Sequence, residues 1–526
     1  MLGVLLLCLL IAGRGHNGPG GTRADGGGPD ASGRPNIVVV MTDDQGIDMP
    51  ASGFPRPFAD YLDGATDFEQ SIVATPLCCP SRATFLSGQY GHNNGILRNR
   101  PGYPELREKD SVLPVWMQEA GYRTAMVGKY MNGFSDSTEG REKRPAPGWE
   151  EWTLMLRSFS YYGFTLLEGG EEVEYGERRR DYLTSVLNRA ALDSIRRLEE
   201  DPRPLFLYMP VWAPHNESER LSSGPCKGFP MPPNRRPAPV AAEFLPVPEK
   251  FEGDLTDKPP YVQRRDPIDA VSLESLQRKA GCQAGSLTVV ESGIERIRTE
   301  LEEIGELDET VFIYTSDNGQ QSGQHRLTAK AAPYEPAIRV PLVIDLSVSM
   351  GPQPDTVDAP ASNIDLAPTI LDVAGGRPCS SDGLCRALDG RSLLPLLTGE
   401  AGPEFDRRPL LIETREGAPC PYSGVRQRGW ILIDYPASEI EGCEAPFREL
   451  YDLGSDPGQE LNLLAAGPPT DRRTVRRLDS LEPMLDELRS CGGGGSRRCR
   501  KMFSSSLESS AASGVETRTT SVVIRP

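Results

Sequence analysis

The residues best suited to chemistry lie in one short stretch, where a cysteine, a proline and an arginine occur in the order Cys78-Cys79-Pro80-Ser81-Arg82. Proline is favoured in the first turn of a helix, because that turn needs no N–H from it. The spacing therefore predicts a helix that begins here, with Cys78 just ahead of its N-terminus. The dipole at that end stabilises a bound anion or a developing negative charge, and Arg82 is near enough in sequence to pair with it. A buried, inert cysteine pair ahead of an ordinary helix is the alternative interpretation.

Two pairs of oxygen-bearing side chains follow predicted strands. Asp43 and Asp44 come after the apolar run 35–41, and Asp317 and Asn318 follow the run 311–314. In open parallel sheets ligands bind at the carboxyl ends of strands, so these pairs can meet although they are far apart in sequence. Three carboxylates and an amide oxygen form a hard site, suited to Ca²⁺ or Mg²⁺ and poorly suited to zinc. Taken singly, each pair is more often a turn and a helix cap.

Cationic side chains are predicted at the same rim of the sheet. Lys129 ends the strand that starts at Thr124, His215 follows the strand at 205–209, and Lys330 lies on the loop that leaves Asn318. A single lysine is usually a solvated surface charge, and a single histidine usually has a packing role. A metal ion with several cations at one rim, by contrast, describes a pocket for a small tetrahedral anion.

The elements that must position these side chains alternate along the chain. Apolar runs typical of buried parallel strands lie at 35–41, 124–127, 205–209, 311–314 and 342–344. Helical patterns separate them, and the clearest apolar stripe comprises Leu287, Val290, Ile294, Ile297, Leu301 and Ile304. This alternation predicts an α/β fold, with a large mixed, mainly parallel sheet flanked by helices and a smaller C-terminal α+β subdomain.

Composition shifts predict the domain organisation. We expect a signal peptide and Gly-rich linker at 1–33, a catalytic domain at 34–404 with a Pro-rich excursion at 216–270, the α+β subdomain at 405–490, and a Ser/Thr-rich tail at 491–526. The apolar part of the leader is far shorter than the roughly 20 residues that a bilayer requires. We therefore expect an exported protein that is not an integral membrane protein, located outside the cell, in the periplasm or cell envelope, or in a lysosome.

Charge and cysteine content narrow the function classes. The formal net charge of −18 argues against a nucleic-acid partner, but a local cluster of cations still allows an anionic substrate. Besides Cys8 and the Cys78-Cys79 pair the chain has an even set of eight cysteines. Disulfides are expected between neighbours in an oxidising compartment, and the expected pairs are Cys226–Cys282, Cys379–Cys385, Cys420–Cys443 and Cys491–Cys499. A zinc site is the alternative, but no C-x-x-C or nearby histidine supports it.

The stretch around Cys78, continued as Ala83-Thr84-Phe85-Leu86-Ser87-Gly88, resembles the signature of the sulfatase family. Further matching motifs occur between Pro35 and Leu463, among them 363–369, 389–393 and 449–453. In this family a formylglycine-generating enzyme oxidises the cysteine to formylglycine, whose hydrated aldehyde is the nucleophile. The resemblance thus implies an alkaline-phosphatase-like fold and hydrolysis of a sulfate ester.

The resemblance also implies a role for each candidate residue. One Ca²⁺ would be held by Asp43, Asp44, Asp317 and Asn318 together with the modified Cys78. The residues expected to bind formylglycine and sulfate are Arg82, Lys129, His215 and Lys330.

The stretch Gly128-Lys129-Tyr130-Met131-Asn132 departs from the common G-K-W-H pattern, because Met131 replaces its histidine. This form is similar to the N-acetylglucosamine-6-sulfatase branch and to the extracellular heparan endosulfatases. It implies a sulfated sugar substrate, with 6-O-sulfated N-acetylglucosamine as the first hypothesis. The missing histidine leaves the leaving-group acid open. His325 is the candidate for that role and for substrate binding, with a structural role as the alternative.

Four aromatic residues also resemble the N-acetylglucosamine-6-sulfatase branch: Trp149, Trp152, Tyr161 and Tyr162. They are predicted either to offer flat faces to a sugar ring or to belong to the core.

Three other functions remain open. The first is a phosphomonoester or phosphonate hydrolase of the same superfamily, and the second is a generic arylsulfatase that acts on aryl sulfates. The third, which applies if Cys78 stays a thiol, is a sulfoglycan-binding protein without activity.

Overall fold

The computed structural model of the chain describes residues 33–47, 49, 64–156, 160–220, 223–241, 245–247, 253–415 and 420–491. Except for Gly33 and Cys491, the predicted leader, linker and tail lie outside these residues. In the described part of the chain, no helix combines the length and the apolar character that a membrane span requires.

Strands and helices are interspersed along the described residues and are numbered in chain order. The strands are β1 (Asn36–Thr42), β2 (Thr66–Phe68), β3 (Ser71–Ile72), β4 (Arg123–Gly128), β5 (Glu151–Met155), β6 (Thr165–Glu168), β7 (Glu171–Glu174), β8 (Leu205–Pro210), β9 (Thr310–Ser316), β10 (Leu342–Asp345), β11 (Thr356–Val357), β12 (Ala361–Ser362), β13 (Leu410–Thr414), β14 (Tyr422–Gln427), β15 (Trp430–Tyr435) and β16 (Phe447–Asp452). The α-helices are α1 (Cys78–Ser87), α2 (Gly91–Asn94), α3 (Leu113–Glu119), α4 (Thr138–Arg141), α5 (Leu183–Arg196), α6 (Pro260–Gln263), α7 (Ala270–Glu303), α8 (Glu335–Ile338), α9 (Leu366–Ala374), α10 (Leu394–Leu397) and α11 (Arg472–Ser490).

The main sheet has the strand order β11-β2-β10-β9-β1-β8-β4-β5-β6-β7. Its centre, from β9 through β1, β8 and β4 to β5, is parallel, whereas β10, β6 and β7 are antiparallel to their neighbours. Every residue of β1 is buried, which explains its unbroken apolar sequence, since a central parallel strand is covered on both faces. The predicted mixed, mainly parallel sheet flanked by helices is confirmed.

Helices cover both faces of this sheet. On one face Ile37 and Val39 of β1 pack into a core that includes residues of α1, α3 and α9. On the other face Val38 and Val40 pack against α5 and α7. The predicted apolar stripe between Leu287 and Leu301 forms the buried side of α7, and Asp269 caps the start of that helix by accepting a hydrogen bond from the Ser272 amide (2.8 Å).

A second, four-stranded antiparallel sheet follows, in the order β13-β14-β15-β16. One of its faces packs against α11 through Leu481, Leu485 and Leu488. The other face shares a core with Tyr334 and Ile338, which follow the main sheet's β9. The sequence prediction of an α+β arrangement after the main sheet is confirmed.

Three of the expected disulfides are present. They are Cys226–Cys282, Cys379–Cys385 and Cys420–Cys443. The first attaches the Pro-rich excursion to α7. The fourth expected pair includes Cys499, which lies outside the described residues.

A buried carboxylate joins the second sheet to the start of α8. Glu449 of β16 is fully buried and accepts hydrogen bonds from the hydroxyls of Tyr435 (2.7 Å), Tyr451 and Tyr334 (3.1 Å). Burial raises the pKa of Glu449 to about 7, although these hydroxyls and Lys258 favour the ionised form.

A raised carboxyl pKa in the folded state makes the free energy of unfolding depend on pH. The protonated Glu449 contributes stability that is fully present below the unfolded value of 4.5 and is lost as the pH rises through about 7. Relative to Glu449→Gln, which stays neutral, we expect the wild type to lose about 3 kcal/mol of unfolding free energy over that range. Urea denaturation at several pH values measures this difference, with the exposed Glu441→Gln as the matched control. Parallel pH profiles for wild type and Glu449→Gln would contradict it.

Candidate active site

Loops that follow the central strands meet at one rim of the main sheet. Asp43 follows β1, Asp317 follows β9, and Lys129 follows β4. Backbone hydrogen bonds tie the turns together, since the amide of Asp43 donates to Ala213 (3.1 Å) and that of Asp317 donates to Thr42 (3.0 Å). The topology thus brings the predicted carboxylates and cations to the same edge.

Gly128 permits the close approach of β4 to β8 that places Lys129 at this rim. Its φ is +135°, and a Cβ atom at this position would lie 2.0 Å from the carbonyl oxygen of Pro210. The next amide, that of Lys129, donates to the same carbonyl (2.7 Å). Only glycine fits between the two strands here.

The helix α1 begins at Cys78 itself, with Leu77 as its N-cap residue. The spacing predicted Cys78 just ahead of the helix, so this detail was wrong by one residue. Pro80 lies in the first turn as predicted, and all residues of α1 are buried. Because Cys78 is at the N-terminal end, the positive end of the helix dipole lies beside its side chain.

Asn363 fixes the start of α1 from outside the helix. Its amide nitrogen donates to the Ser81 hydroxyl (2.8 Å), and its amide oxygen accepts from the backbone of Ala74 (3.0 Å). Asn363 therefore joins the chain before the Cys78 turn to the chain after it. Asn363 begins one of the family-like motifs in the sequence, but this positioning role was not predicted.

Arg82 lies at the centre of the charged cluster and is fully buried. Its guanidinium contacts Asp317 (2.9 Å) and Asp43 (3.1 Å), and it donates to the carbonyl of Lys129 (2.6 Å). These three contacts hold three different loops in register. Arg82 therefore compensates buried carboxylates and positions the rim.

The two predicted lysines flank Cys78. The ammonium of Lys330 is 2.7 Å from the sulfur of Cys78 and pairs with Asp44. The ammonium of Lys129 pairs with Asp43 and lies 4.8 Å from the ring centroid of Trp212. Three carboxylates thus face three permanent cations around the cysteine.

His215 completes the cluster on the side of Asp44. Its Nε2 lies 3.6 Å from Asp44, and its Nδ1 is 2.7 Å from the carbonyl of Asn216. Because a carbonyl only accepts, Nδ1 carries the proton in the neutral ring, and Nε2 is the nitrogen that faces the cluster. Burial lowers the pKa of His215, and the charges of Asp44 and Asp43 oppose that effect.

Side chains of the cluster converge so that they can hold a metal ion. Ligand atoms of Asp43, Asp44, Cys78 and His215 all lie within 4.8 Å of one another. The amide nitrogen of Asn318 donates to Asp44 (2.7 Å), and its amide oxygen is buried without a hydrogen-bond partner among the described residues. A buried carbonyl oxygen without a partner beside several carboxylates fits a cation such as Ca²⁺.

The charges of the cluster shift the pKa values of its acids in different directions. Burial alone would raise the pKa of Asp43, but Lys129, His215 and Arg82 together hold it well below its usual value. Burial, with help from Asp43, raises the pKa of Asp317 to about 6. All of these carboxylates are consequently ionised near neutral pH.

The same surroundings keep the Cys78 thiol protonated. Burial raises the pKa of the Cys78 thiol to about 12, and the charge of Asp43 adds to that effect. Since the thiolate is the nucleophile, unmodified Cys78 would be a poor nucleophile near neutral pH. The neighbouring Cys79 is also buried, but it packs in the core, 3.7 Å from the carbonyl of Asn132.

The structure does not bring His325 into the cluster. His325 lines a separate cavity of about 700 Å³, and its ring lies 4.2 Å from that of Tyr334. Burial lowers the pKa of His325 to about 3. A ring with that pKa carries no proton to donate as an acid at neutral pH, so the geometry favours a binding role over the leaving-group role.

The aromatic residues considered as sugar platforms are core residues. Trp149, Trp152, Tyr161 and Tyr162 are all buried. Trp149 stacks on Phe206, for example. Of the two predicted alternatives, a place in the core is the one confirmed.

A different aromatic residue lies beside the cluster. Trp212 follows β8 and, with Lys129 and Met131, lines a cavity of about 420 Å³. Its position three residues before His215, just past a strand end, was the available signal in the sequence. Met131, which stands in place of the usual histidine, gives this cavity an apolar wall.

Family models match most of the described chain. A model described as Sulfatase matches residues 35–376, and one described as N-sulphoglucosamine sulphohydrolase, C-terminal, matches residues 323–483. The first match includes the whole charged cluster.

Curated relatives agree with these matches. The N-acetylglucosamine-6-sulfatase of Capra hircus is 31% identical over 90% of this chain and 87% of its own length. The extracellular sulfatase SULF-1 homolog of Drosophila melanogaster is 30% identical, and the putative homolog of Caenorhabditis elegans is 31% identical, each over 69% of this chain. The chain spans 31% and 49% of the length of those two relatives.

Solved structures share the fold at lower identity. A structure in complex with its substrate D-glucosamine-2-N,6-O-disulfate has a TM-score of 0.64 and is 22% identical, over 89% of this chain and 98% of that one. The phosphonate monoester hydrolase of Agrobacterium radiobacter has a TM-score of 0.62 and is 18% identical, over 87% of this chain and 95% of that one. These likenesses establish the alkaline-phosphatase-like architecture of the main sheet.

Proposed function

Since the chain belongs to the sulfatase family, we propose that it hydrolyses the sulfate ester of a sulfated sugar, with a 6-O-sulfated amino sugar as the substrate. The observation that carries the proposal is the arrangement around Cys78, where Lys129, Lys330 and His215 surround the sulfur beside three carboxylates. Such an arrangement suits a sulfate group that must be bound and turned over at one point.

Two groups complete the site in this proposal. A formylglycine made from Cys78 supplies the nucleophilic hydroxyl, and a Ca²⁺ held by Asp43, Asp44, Asp317, Asn318 and residue 78 supplies positive charge. The buried Asn318 oxygen without a partner among the described residues supports the metal. A bound cation would take over carboxylate oxygens that Lys129 and Lys330 now neutralise. The lysines would then be available for the sulfate oxygens.

The protein's own residues bind and orient the sulfate. Lys129 and Lys330 approach Cys78 from different loops, so together they fix a tetrahedral anion over residue 78 and stabilise negative charge in the transition state. Arg82 keeps two of the carboxylates in place without exposure to solvent. His215 presents Nε2, the unprotonated nitrogen of its neutral ring, toward the same space, where it can accept a hydrogen bond from a hydroxyl group.

The leaving sugar is proposed to lie beside Lys129. The cavity lined by Met131 and Trp212 begins there, and an apolar wall with one aromatic side chain suits the apolar face of a pyranose ring. The N-acetylglucosamine-6-sulfatase of Capra hircus supports an amino sugar as the bearer of the sulfate.

An exported location is proposed on two grounds. Disulfides such as Cys226–Cys282 form and persist in oxidising compartments. The Drosophila relative is described as extracellular.

A substrate panel tests the proposed function. The matured protein, supplied with Ca²⁺, is assayed on N-acetylglucosamine 6-sulfate, its 3-sulfate and 4-sulfate isomers, an aryl sulfate, an aryl phosphate and a phosphonate monoester. We expect the highest kcat/KM on the 6-sulfate. Preference for the aryl sulfate alone would leave a generic arylsulfatase, and preference for the phosphonate would replace the sulfatase assignment with the phosphonate hydrolase alternative.

A further inference from the structure

Four arginine side chains line one cavity beside an end of the second sheet. The cavity has a volume of about 560 Å³, and Trp430 and Asp452 also line it. We call its cations the arginine site, which comprises Arg428, Arg473, Arg476 and Arg477. None of the described residues that line this cavity belongs to the charged cluster around Cys78. The arginine site is therefore separate from the proposed active site.

The spacing of arginines along α11 brings three of these cations together. Arg473, Arg476 and Arg477 are three and four residues apart, and residues at that spacing are neighbours on a helix surface. They flank the apolar stripe of α11, which includes Leu481 and Leu485 and packs against the second sheet. This position places the guanidinium groups at the border between the helix and the sheet.

The fourth cation comes from the turn that joins β14 to β15. This turn consists of Arg428 and Gly429, whose φ angles are +50° and +71°. Two-residue turns with positive φ at both positions favour asparagine, aspartate and glycine, so the backbone conformation does not account for an arginine here. The side chain of Arg428 instead adds a cation to those of α11 in the same cavity.

Trp430 holds two of the guanidinium groups side by side. Those of Arg473 and Arg477 lie over its ring, 5.2 and 5.7 Å from the centroid. Both distances are within the range of cation–π attraction. The buried ring of Trp430 thus fixes two like charges next to each other, together with their planar sets of N–H donors.

Most of the positive charge at the arginine site is not compensated within the described part of the chain. Arg473 pairs with Asp452 (2.6 Å), but no described carboxylate lies within 4.0 Å of the other three guanidinium groups. Burial, together with the charges of Arg428 and Arg473, lowers the pKa of Arg477, which reflects repulsion between neighbouring cations. The site is thus a local positive surface on a chain with a formal net charge of −18.

Carboxylates limit the positive surface to the side of α11. An adjoining cavity shares Arg428 but also contains the exposed residues Asp358 and Asp406. An anion that contacts Arg428 is therefore expected to extend toward Arg476 and Arg477 and not into the adjoining cavity.

The donor groups indicate the chemistry of the anion. A guanidinium presents its N–H groups as a planar fork, which matches the paired oxygen atoms of an oxyanion, and several forks in one cavity suit a chain with several anionic groups. No large exposed apolar side chain of the described residues lines the cavity, so it lacks the apolar anchor of a membrane-surface site. The net charge argues against a nucleic acid.

We propose that the arginine site is a noncatalytic binding site for a sulfated glycan chain. The choice of a sulfated glycan rests on the proposed function, because an enzyme that acts on sulfated sugars meets such chains, whereas the existence of an anion site does not depend on it. Such a site would retain a polyanionic chain on a protein whose net charge otherwise repels it.

Binding of a fluorescently labelled heparin octasaccharide, a short sulfated glycan, tests this inference. Fluorescence anisotropy at physiological salt measures its Kd for Cys78→Ala, which has no nucleophile, and for the same protein with Arg428→Gln and Arg476→Gln. These two arginines are exposed and form no hydrogen bond or ion pair with a described residue, so their replacement should leave the fold intact. We expect the two substitutions to raise the Kd about 10-fold.

Arg178→Gln with Arg179→Gln, also made in Cys78→Ala, is the matched control. It removes the same charge from two adjacent exposed arginines that do not line the cavity. We expect its Kd to stay within about 2-fold of that of Cys78→Ala, because screening limits the reach of exposed charges. An equal rise in Kd for both pairs would overturn the inference, since net charge alone would then explain binding. Tighter binding of a polyglutamate peptide, or of phosphatidylserine vesicles, would overturn it in favour of an acidic protein or a membrane.

A kinetic measurement separates this inference from the proposed function. The kcat/KM of N-acetylglucosamine 6-sulfate is measured for the wild type and for Arg428→Gln with Arg476→Gln, both with Cys78 intact. We expect equal values, because the arginine site contains none of the residues around Cys78. A parallel loss of kcat/KM and of heparin binding would overturn the separate site. A wild type without sulfatase activity, whose heparin binding still depends on the two arginines, would instead refute the proposed function and support the arginine site.

Discussion

Replacing Cys78 by alanine is expected to lower turnover by on the order of 10⁴-fold or more, because the variant has neither a thiol nor a group that can be matured to formylglycine. The fold should persist, since the ion pairs of Arg82 with Asp43 and Asp317 do not involve the sulfur. The measurement is kcat on a sulfate ester, with circular dichroism and thermal unfolding as tests of the fold.

Cys79→Ala is the matched control for this prediction. Cys79 is adjacent and equally buried but belongs to the core, away from the Lys330 ammonium that contacts Cys78. Its loss should cost about 1–2 kcal/mol of stability and little activity in the folded protein. Mass analysis of a peptide that spans both residues should find an aldehyde in place of the Cys78 thiol. An active Cys78→Ala protein, or an aldehyde at residue 79, would disprove the assignment of the nucleophile.

The central sheet could be predicted from sequence because a buried parallel strand leaves a clear pattern. The runs at 35–41 and 311–314 are apolar throughout most of their length, and they became β1 and β9 at the middle of the sheet. The topology rule for the carboxyl ends of parallel strands then sufficed to bring Asp43 and Asp317 together. This rule succeeds for Asp43 and Asp317 because the backbone at the end of each strand fixes where the side chain lies.

The surroundings of the site were harder to predict because they depend on side-chain packing between distant elements. Trp149 and Tyr161 are residue types that stack on sugar rings, but here they pack in the core. His325 follows Gly323 and itself has a φ of +53°, a local backbone feature that periodicity does not indicate.

Removing the metal ion that we propose at residue 78 is expected to abolish sulfatase activity and to lower the unfolding temperature of the folded protein. In the described cluster the amide nitrogen of Asn318 donates to Asp44, and the amide oxygen of Asn318 is buried without a partner among the described residues. A cation that binds only the folded state stabilises it by about 4 kcal/mol at a thousand times its Kd. Thermal unfolding and activity are measured after chelation and again after addition of Ca²⁺, Mg²⁺ or Zn²⁺.

Ca²⁺ should restore both properties, whereas Zn²⁺, which prefers nitrogen and sulfur ligands, should not. The folded structure should survive chelation, because Lys129, Lys330 and Arg82 still neutralise the three carboxylates. Asn318→Ala is the variant that isolates the metal, since it removes one oxygen ligand and leaves every ion pair in place. We expect it to shift the Ca²⁺ concentration that restores thermal stability upward by about 10- to 100-fold. An unfolding temperature that does not respond to Ca²⁺ in the wild type, or responds identically in Asn318→Ala, would show that this cluster is held together by its lysines and arginine alone.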